Sequence, residues 1–272
     1  MSTTVAHVIA AAEQLWPVSG AEAWDAVGLV SGDLDAPVST ISLAVDAVLD
    51  TVDEAIADGA DMLITHHPLL LRGVTSVASD RYKGAVLTKL IRAECALLAA
   101  HTNADVVETG TSGRFATKLG LSSIAPIVEG ETPDRGIGRT GQLPEAMTLG
   151  RLARLIGEIL PPTATGIRVA GDFDQLVQSV ALCGGAGDAY LNDPAVLASD
   201  VYITSDLRHH PASEARENAR LQNGPALIDV SHWASEWLWL DAAADELRAL
   251  LPDVTITVSE LRTDPWDFAV VQ

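Results

Sequence analysis

Asp61-Met62-Leu63-Ile64-Thr65-His66-His67-Pro68 is the stretch on which the reading of the whole chain turns. The apolar run Met62-Leu63-Ile64 reads as a buried strand, and the proline after the two histidines says that regular structure stops there. Adjacent side chains on a strand point to opposite faces, so a plain strand cannot aim both imidazoles at one point. A strand end that breaks into a loop can. Taken alone, the pair reads more simply as two surface histidines on a polar loop. The choice rests on what the other segments bring.

Working outward, strands and helices alternate. Thr-Ile-Ser-Leu-Ala-Val (40–45) predicts a strand ending at Asp46, and 48–58 a helix with Gly59 as its C′ residue. Downstream, 83–94 predicts an amphipathic helix, and Cys95–Ala100 an apolar strand that ends at His101-Thr102-Asn103-Ala104-Asp105. Upstream, Val5, Val8, Ile9, Ala12 and Leu15 have helical spacing before Pro17, and Ala23-Trp24-Asp25-Ala26-Val27-Gly28-Leu29 is turn-rich. A helix over 111–119 precedes a change in composition between Ile124 and Gly141. There Pro126, Gly130, Pro133, Gly136 and Gly138 predict a connector and a domain boundary.

Beyond it, Thr148 caps a predicted helix over 149–160 that Pro161-Pro162 ends. Strands are predicted at 166–170, 177–183, 200–204, 225–230 and 254–258, with helices near 189–198, over 211–219 and over 233–251. Such alternation is the pattern of α/β architecture with largely parallel sheets.

The histidines follow the same plan. Of seven, only His7 lies inside a predicted helix. His66, His67, His101, His209, His210 and His232 all follow the ends of four apolar strands, directly or within a few residues. In parallel sheets the carboxyl ends of the strands form one rim, where ligands bind. Carboxylates go with them: Asp105 four residues after His101, Asp206 ahead of His209 and His210, and Glu236 four residues after His232. Imidazoles with carboxylates are the ligand set of Zn²⁺, Mn²⁺ or Fe²⁺. Three or more histidines with two or more carboxylates exceed what one ion with an open position needs, and fit two ions better.

Plainer roles stay open for several of these residues. Asp105 serves equally as a cap for the helix after 109 or as a brace for a turn, and Glu236 as a solvated charge on an amphipathic helix. His209 and His210 read as helix-start residues. Gly184-Gly185-Ala186-Gly187 lacks the GxGxxG spacing and the Walker lysine, so a tight turn after a strand is favoured over a phosphate cradle.

The totals narrow the function class. The formal charge of −20, from 17 basic and 37 acidic residues, disfavours nucleic-acid backbones and anionic membranes as partners. It leaves room for a small anionic substrate if a metal ion supplies local positive charge. Aromatic content is 4%, so Ala, Val and Leu must fill most of the core. Cys95 and Cys183 lie in apolar runs outside any CxxC pair, and no run approaches the length of a membrane helix. Both observations predict a cytoplasmic protein with reduced thiols.

Five segments together resemble the NGG-interacting-factor-three-like proteins, also known as type 2 GTP cyclohydrolase I homologues. They are Ala23–Leu29, Ile64–Pro68, His101–Asp105, Thr204–His210 and Ile228–Glu236, spread nearly end to end. The resemblance implies two interlocked α/β domains, 1–125 plus 226–272 and 126–225, with a dinuclear metal site at strand carboxyl ends between them. It implies His66, His67, Asp105, His232 and Glu236 as metal ligands, and a ring-shaped hexamer, a trimer of dimers. The leading expectation built on such a site is a metal-dependent hydrolase acting on a nucleotide or a phosphorylated small molecule, with His101, Asp206 or His210 orienting ligands or shuttling a proton. A non-enzymatic metal-binding scaffold is the alternative. Three positions depart from the family's usual residues: Ala26 for Asn, Ser205 for Gly, and Ser231 for Gly.

Overall fold

The computed structural model describes residues 2–130, 132 and 135–270. Its strands are, in chain order, β1 (Gly28–Ser31), β2 (Thr40–Ala44), β3 (Met62–Thr65), β4 (Ala96–Ala99), β5 (Ser122–Ala125), β6 (Val128–Glu129) and β7 (Gly136–Ile137). They continue with β8 (Arg139–Thr148), β9 (Arg168–Ala170), β10 (Leu176–Ala186), β11 (Val201–Ser205), β12 (Ala226–Val230) and β13 (Thr255–Val258). The chain divides into two compact units.

The first unit comprises the residues up to Ala104 and Leu240–Thr263. Its sheet has the order β1-β4-β3-β2-β13. β4, β3, β2 and β13 are parallel, and β1 is antiparallel at the edge. β3 and β4 are buried along their whole length, as continuous apolar runs in a parallel sheet must be. On one face, Leu63 and Leu97 pack with Val52 and Ala55 of the helix Leu49–Ala57 and with Val86 and Leu90 of the helix Tyr82–Arg92. Each such aliphatic side chain contributes about 1.5–3 kcal/mol on burial. Gly59 follows the first of these helices at φ +68, the left-handed conformation expected of a C′ glycine.

The second unit comprises Asp105–Trp239 and the residues from Asp264 on. Its six-stranded sheet has the order β5-β8-β10-β11-β12-β9. β10, β11 and β12 are parallel, and the remaining pairs are antiparallel. The helix Leu149–Ile159 begins at Thr148, whose Oγ1 accepts from Arg151 N at 3.3 Å.

The α/β class and nearly every expected element are present. The differences lie where the apolar signal is weak. The expected connector carries β5, the β6–β7 hairpin and the start of β8. β5 and β6 are exposed throughout, so no apolar run marks them. Pro133, one of the residues that predicted the connector, lies outside the described residues. Arg139, 2% exposed, ties this region down. Its guanidinium donates at 2.6 Å to the carbonyls of Gly136, Gly138 and Val107.

The unit bounds also differ from 1–125 plus 226–272 and 126–225. β12 pairs with β11 and β9, which assigns 226–239 to the second unit; 105–125 joins that unit too, through β5 on β8. Only Leu240–Thr263 of the C-terminal segment returns to the first unit, where β13 pairs with β2. No helix among the described residues is long and apolar enough to cross a membrane.

Candidate metal centre

In the first unit the parallel pairing continues just past β3. His66 N donates to Ala44 O at 3.1 Å and His67 N to Val45 O at 2.9 Å, so both histidines have a fixed backbone before Pro68 ends the strand. Thr65 Oγ1 donates to His67 O at 2.9 Å and secures the turn. The rings diverge from there, with centroids 5.2 Å apart and planes at 47°. β4 ends next to β3 and delivers His101, whose centroid lies 5.1 Å from that of His66 and 5.5 Å from that of His67.

Each imidazole is held through Nδ1. His66 Nδ1 meets Ala100 O at 2.9 Å, His67 Nδ1 meets Asp46 Oδ1 at 2.7 Å, and His101 Nδ1 meets Asp25 Oδ1 at 2.9 Å. A carbonyl or an ionised carboxylate only accepts, so Nδ1 carries the proton in all three and Nε2 keeps its lone pair. This is how proteins orient histidine toward a metal. Asp25 is suited to its part. Burial alone would raise its pKa, but bonds from His101, Thr102 and the Ala26 N–H outweigh burial and hold it below the ordinary value.

One ligand nitrogen from each ring lies within 4.8 Å of the others. Donors around a tetrahedral ion with bonds near 2.05 Å are about 3.3 Å apart, so a modest closure would complete the cluster. The donor set therefore fits a divalent transition metal.

In the second unit, β11 ends at Ser205, and Asp206 follows in the left-handed region at φ +59. β12 ends at Val230, and the helix His232–Leu250 starts two residues later. Ser231 caps that helix: its Oγ accepts from Ala234 N at 3.2 Å and donates to Asp264 Oδ1 at 2.6 Å. Ser231 thus both caps the helix and ties it to the C-terminal segment. His232 sits between two carboxylates, with Nδ1 2.8 Å from Asp206 Oδ2 and Nε2 2.9 Å from Glu236 Oε1. Donation from Nδ1 to Asp206 leaves Nε2 facing Glu236, where one ion could take a donor atom from each. Adjacent donors on a six-coordinate ion with bonds near 2.1 Å are about 3 Å apart, so the His232–Glu236 spacing also fits.

Asp105 accepts from Thr111 Oγ1, the first residue of the helix Thr111–Lys118; it holds that helix start through a side chain rather than by capping its backbone. The glycine run closes on the His232–Glu236 pair. Gly185, at φ +71, donates its N–H to Ser235 Oγ at 2.9 Å, and a Cβ there would lie 2.4 Å from Glu236 Oε1. Close approach to a carboxylate, not to a phosphate, is what requires glycine at 185. Burial, and after it the carboxylates of Asp105 and Glu236, push the Cys183 thiol up to about 12. That keeps it a thiol.

The sequence-derived candidates thus fall into two sets. His66, His67 and His101 converge in the first unit. His232, Glu236 and Asp206 are joined in the second, which also holds Asp105. His101, expected as a supporting residue, offers a ring nitrogen within 4.8 Å of those of His66 and His67. His209 and His210 are exposed at the start of the helix His209–Gln222, their rings 5.2 Å apart, and belong to neither set. Four contributors escaped the sequence reading of the site: Asp25, Asp46, Thr111 and Gly185. Asp46 had a visible signal, since it ends a strand beside the one that carries His66 and His67.

The sequence model of Duf34/NIF3 (NGG1p interacting factor 3) matches residues 3–265. A Streptomyces coelicolor protein named GTP cyclohydrolase 1 type 2 homolog is 45% identical over 269 residues, covering 96% of this chain and 93% of the relative. A Clostridium perfringens protein of the same name is 32% identical, over 94% of this chain and 96% of the relative. Among solved structures, the Staphylococcus aureus hypothetical protein SA1388 superposes with a TM-score of 0.89 at 27% identity, covering 99% of this chain and 100% of that one.

Proposed function

The chain belongs to the Duf34/NIF3 family, and from that premise we propose that it is a dinuclear metal-dependent hydrolase acting on a nucleotide or a phosphorylated small molecule. Its ligands are His66, His67, Asp105, His232 and Glu236, with His101 as a further imidazole donor. The observation that carries the reading is the common orientation of three imidazoles, each held at Nδ1 by an acceptor that leaves Nε2 for a metal.

Bound divalent ions supply a water of lowered pKa and positive charge toward an anionic substrate. The chain's own residues do the rest. Asp46 and Asp25 hold the His67 and His101 rings in one tautomer and orientation. Asp206 does the same for His232 and, being exposed at the end of β11, exchanges protons with solvent. Glu236, buried and backed by Gly185, has little freedom to swing away. The reading also includes Zn, Mn or Fe as the metal, the cytoplasm as the compartment and a hexamer as the assembly. Two free, buried cysteines suit a reducing compartment.

Elemental analysis of the purified protein is expected to find close to two transition-metal ions per chain. Metal-loaded protein is expected to turn over GTP or a member of a phosphomonoester panel, and to lose that activity in His66→Ala and Glu236→Ala. Trace metal only would sink the site. Metal without turnover, or turnover that survives both substitutions, would leave the metal-binding scaffold as the better account. Sedimentation velocity tests the hexamer.

A further inference from the structure

Beside the histidine cluster of the first unit stands an indole with no place in the core. Trp24 is 60% exposed, although the side chain of its neighbour Asp25 is 0% exposed. Its ring centroid lies 5.9 Å from that of His101, with the planes at 77°. The two rings therefore meet at an angle, and His101 does not stack on the indole.

The backbone under Trp24 is pinned. Asp25 N donates to Glu22 O at 3.0 Å, and Glu22 N to Thr102 Oγ1 at 2.9 Å. Ala26 N and Thr102 N both donate to the Asp25 carboxylate, at 2.7 and 3.0 Å. The ties that orient His101 thus also fix the segment that presents Trp24. A rigid aromatic side chain with two rotatable bonds on a fixed backbone loses little entropy when something covers it.

We infer that Trp24 is a stacking platform for a planar aromatic ring, and that the ligand served by the histidine cluster is nucleotide-like rather than a simple phosphate ester. The inference rests on reading the cluster as a metal centre. An aromatic face attracts a heterocycle without needing hydrogen-bond partners. Because the indole lies beside His101, a ring resting on it at about 3.5 Å is held next to the cluster. Apolar contact offered next to metal-type donors suits a ligand with a flat apolar part and an anionic part.

The test is calorimetric titration of metal-loaded, full-length protein with GMP and with ribose 5-phosphate, which shares the sugar phosphate but lacks the base. Wild type is expected to bind GMP about tenfold more tightly or better. Trp24→Ala is expected to lose most of that preference while its metal content and its affinity for ribose 5-phosphate stay unchanged. Trp24→Phe is expected to restore most of it. A GMP preference absent from wild type, or one that survives Trp24→Ala, overturns the inference. If both ligands bind equally and chelation abolishes binding, the metal-centre reading stands and the platform falls. If metal-loaded protein binds neither, both fall.

Discussion

Gly185→Ala is a single-methyl test of how tightly the second unit holds its donors. The methyl would arrive 2.4 Å from Glu236 Oε1 and 3.3 Å from His232 Nε2. Ordinary contact needs about 3.5 Å, so the carboxylate must retreat by about 1 Å. It cannot do so freely, because the Glu236 side chain is 4% exposed. Alanine at φ +71 adds about 1–2 kcal/mol of backbone strain. Overpacking adds about 1–3 kcal/mol, so a total loss of about 2–5 kcal/mol is expected.

Metal affinity should fall about 10–100-fold, as it does when a ligand's supporting contacts are disturbed. Urea unfolding of the metal-free protein reads the first quantity, and competition with a chromophoric chelator reads the second. Gly184→Ala is the control. Its methyl would meet Thr111 Cβ at 3.2 Å and Oγ1 at 3.3 Å, a contact that a few tenths of an ångström relieve. Its cost should stay below about 1 kcal/mol. The reasoning fails if Gly185→Ala matches wild type in both assays, or if the two variants lose equally.

Asp25→Asn should lower metal affinity about 10–100-fold, because the amide accepts less strongly from His101 Nδ1; the chelator competition measures this. Ser231→Gly removes a cap and the bond to Asp264, yet the loss in urea should stay within about 1 kcal/mol, because glycine is tolerated at N-caps; a loss above about 2 kcal/mol would argue for a larger role. Arg139→Leu leaves three carbonyls without their donor and should cost at least about 2 kcal/mol, read the same way.

Asp200 and Asp61 set an acid limit. Burial alone would raise both pKa values, but N–H donors from Gln178 and Ser179, and from Ser39 and Thr40, hold them below the ordinary carboxylate value of 3.8. Their contribution is present above that value and is lost as pH falls through the lower folded value, since the unfolded chain binds protons first. The stability gap between wild type and Asp200→Asn should therefore shrink between pH 6 and pH 3. A constant gap would count against this assignment.

The fold was legible wherever burial writes a continuous apolar run. Met62–Thr65 and Ala96–Ala99 are such runs, and their ends carry the histidines. β5 and β6 were not legible, because exposed short strands have no apolar pattern and look like loop. The placement of β12 was missed for a different reason. Its residues announce a strand but not its neighbours, and pairing with β11 rather than with the first sheet is a tertiary fact. The same holds for the site. Histidine and carboxylate at strand ends identify donors, whereas the hold of Asp46 on His67 spans 21 positions and that of Asp25 on His101 spans 76. Gly185 was visible as part of a glycine run, but only the position of Glu236 tells what that run accommodates.

The place of β13 has a consequence for how the protein is made. β2 is followed in the chain by β3, which covers one of its edges almost at once, but its other edge waits for Thr255–Val258. About 200 residues separate the two strands, which at ribosomal rates of about 5–20 residues per second is roughly 10–40 s of synthesis. Throughout that interval the nascent first unit presents the backbone of Thr40–Ala44 as an open strand edge, the kind of surface on which chains add to one another. A strand made long after the sheet was begun is therefore the one that closes this edge.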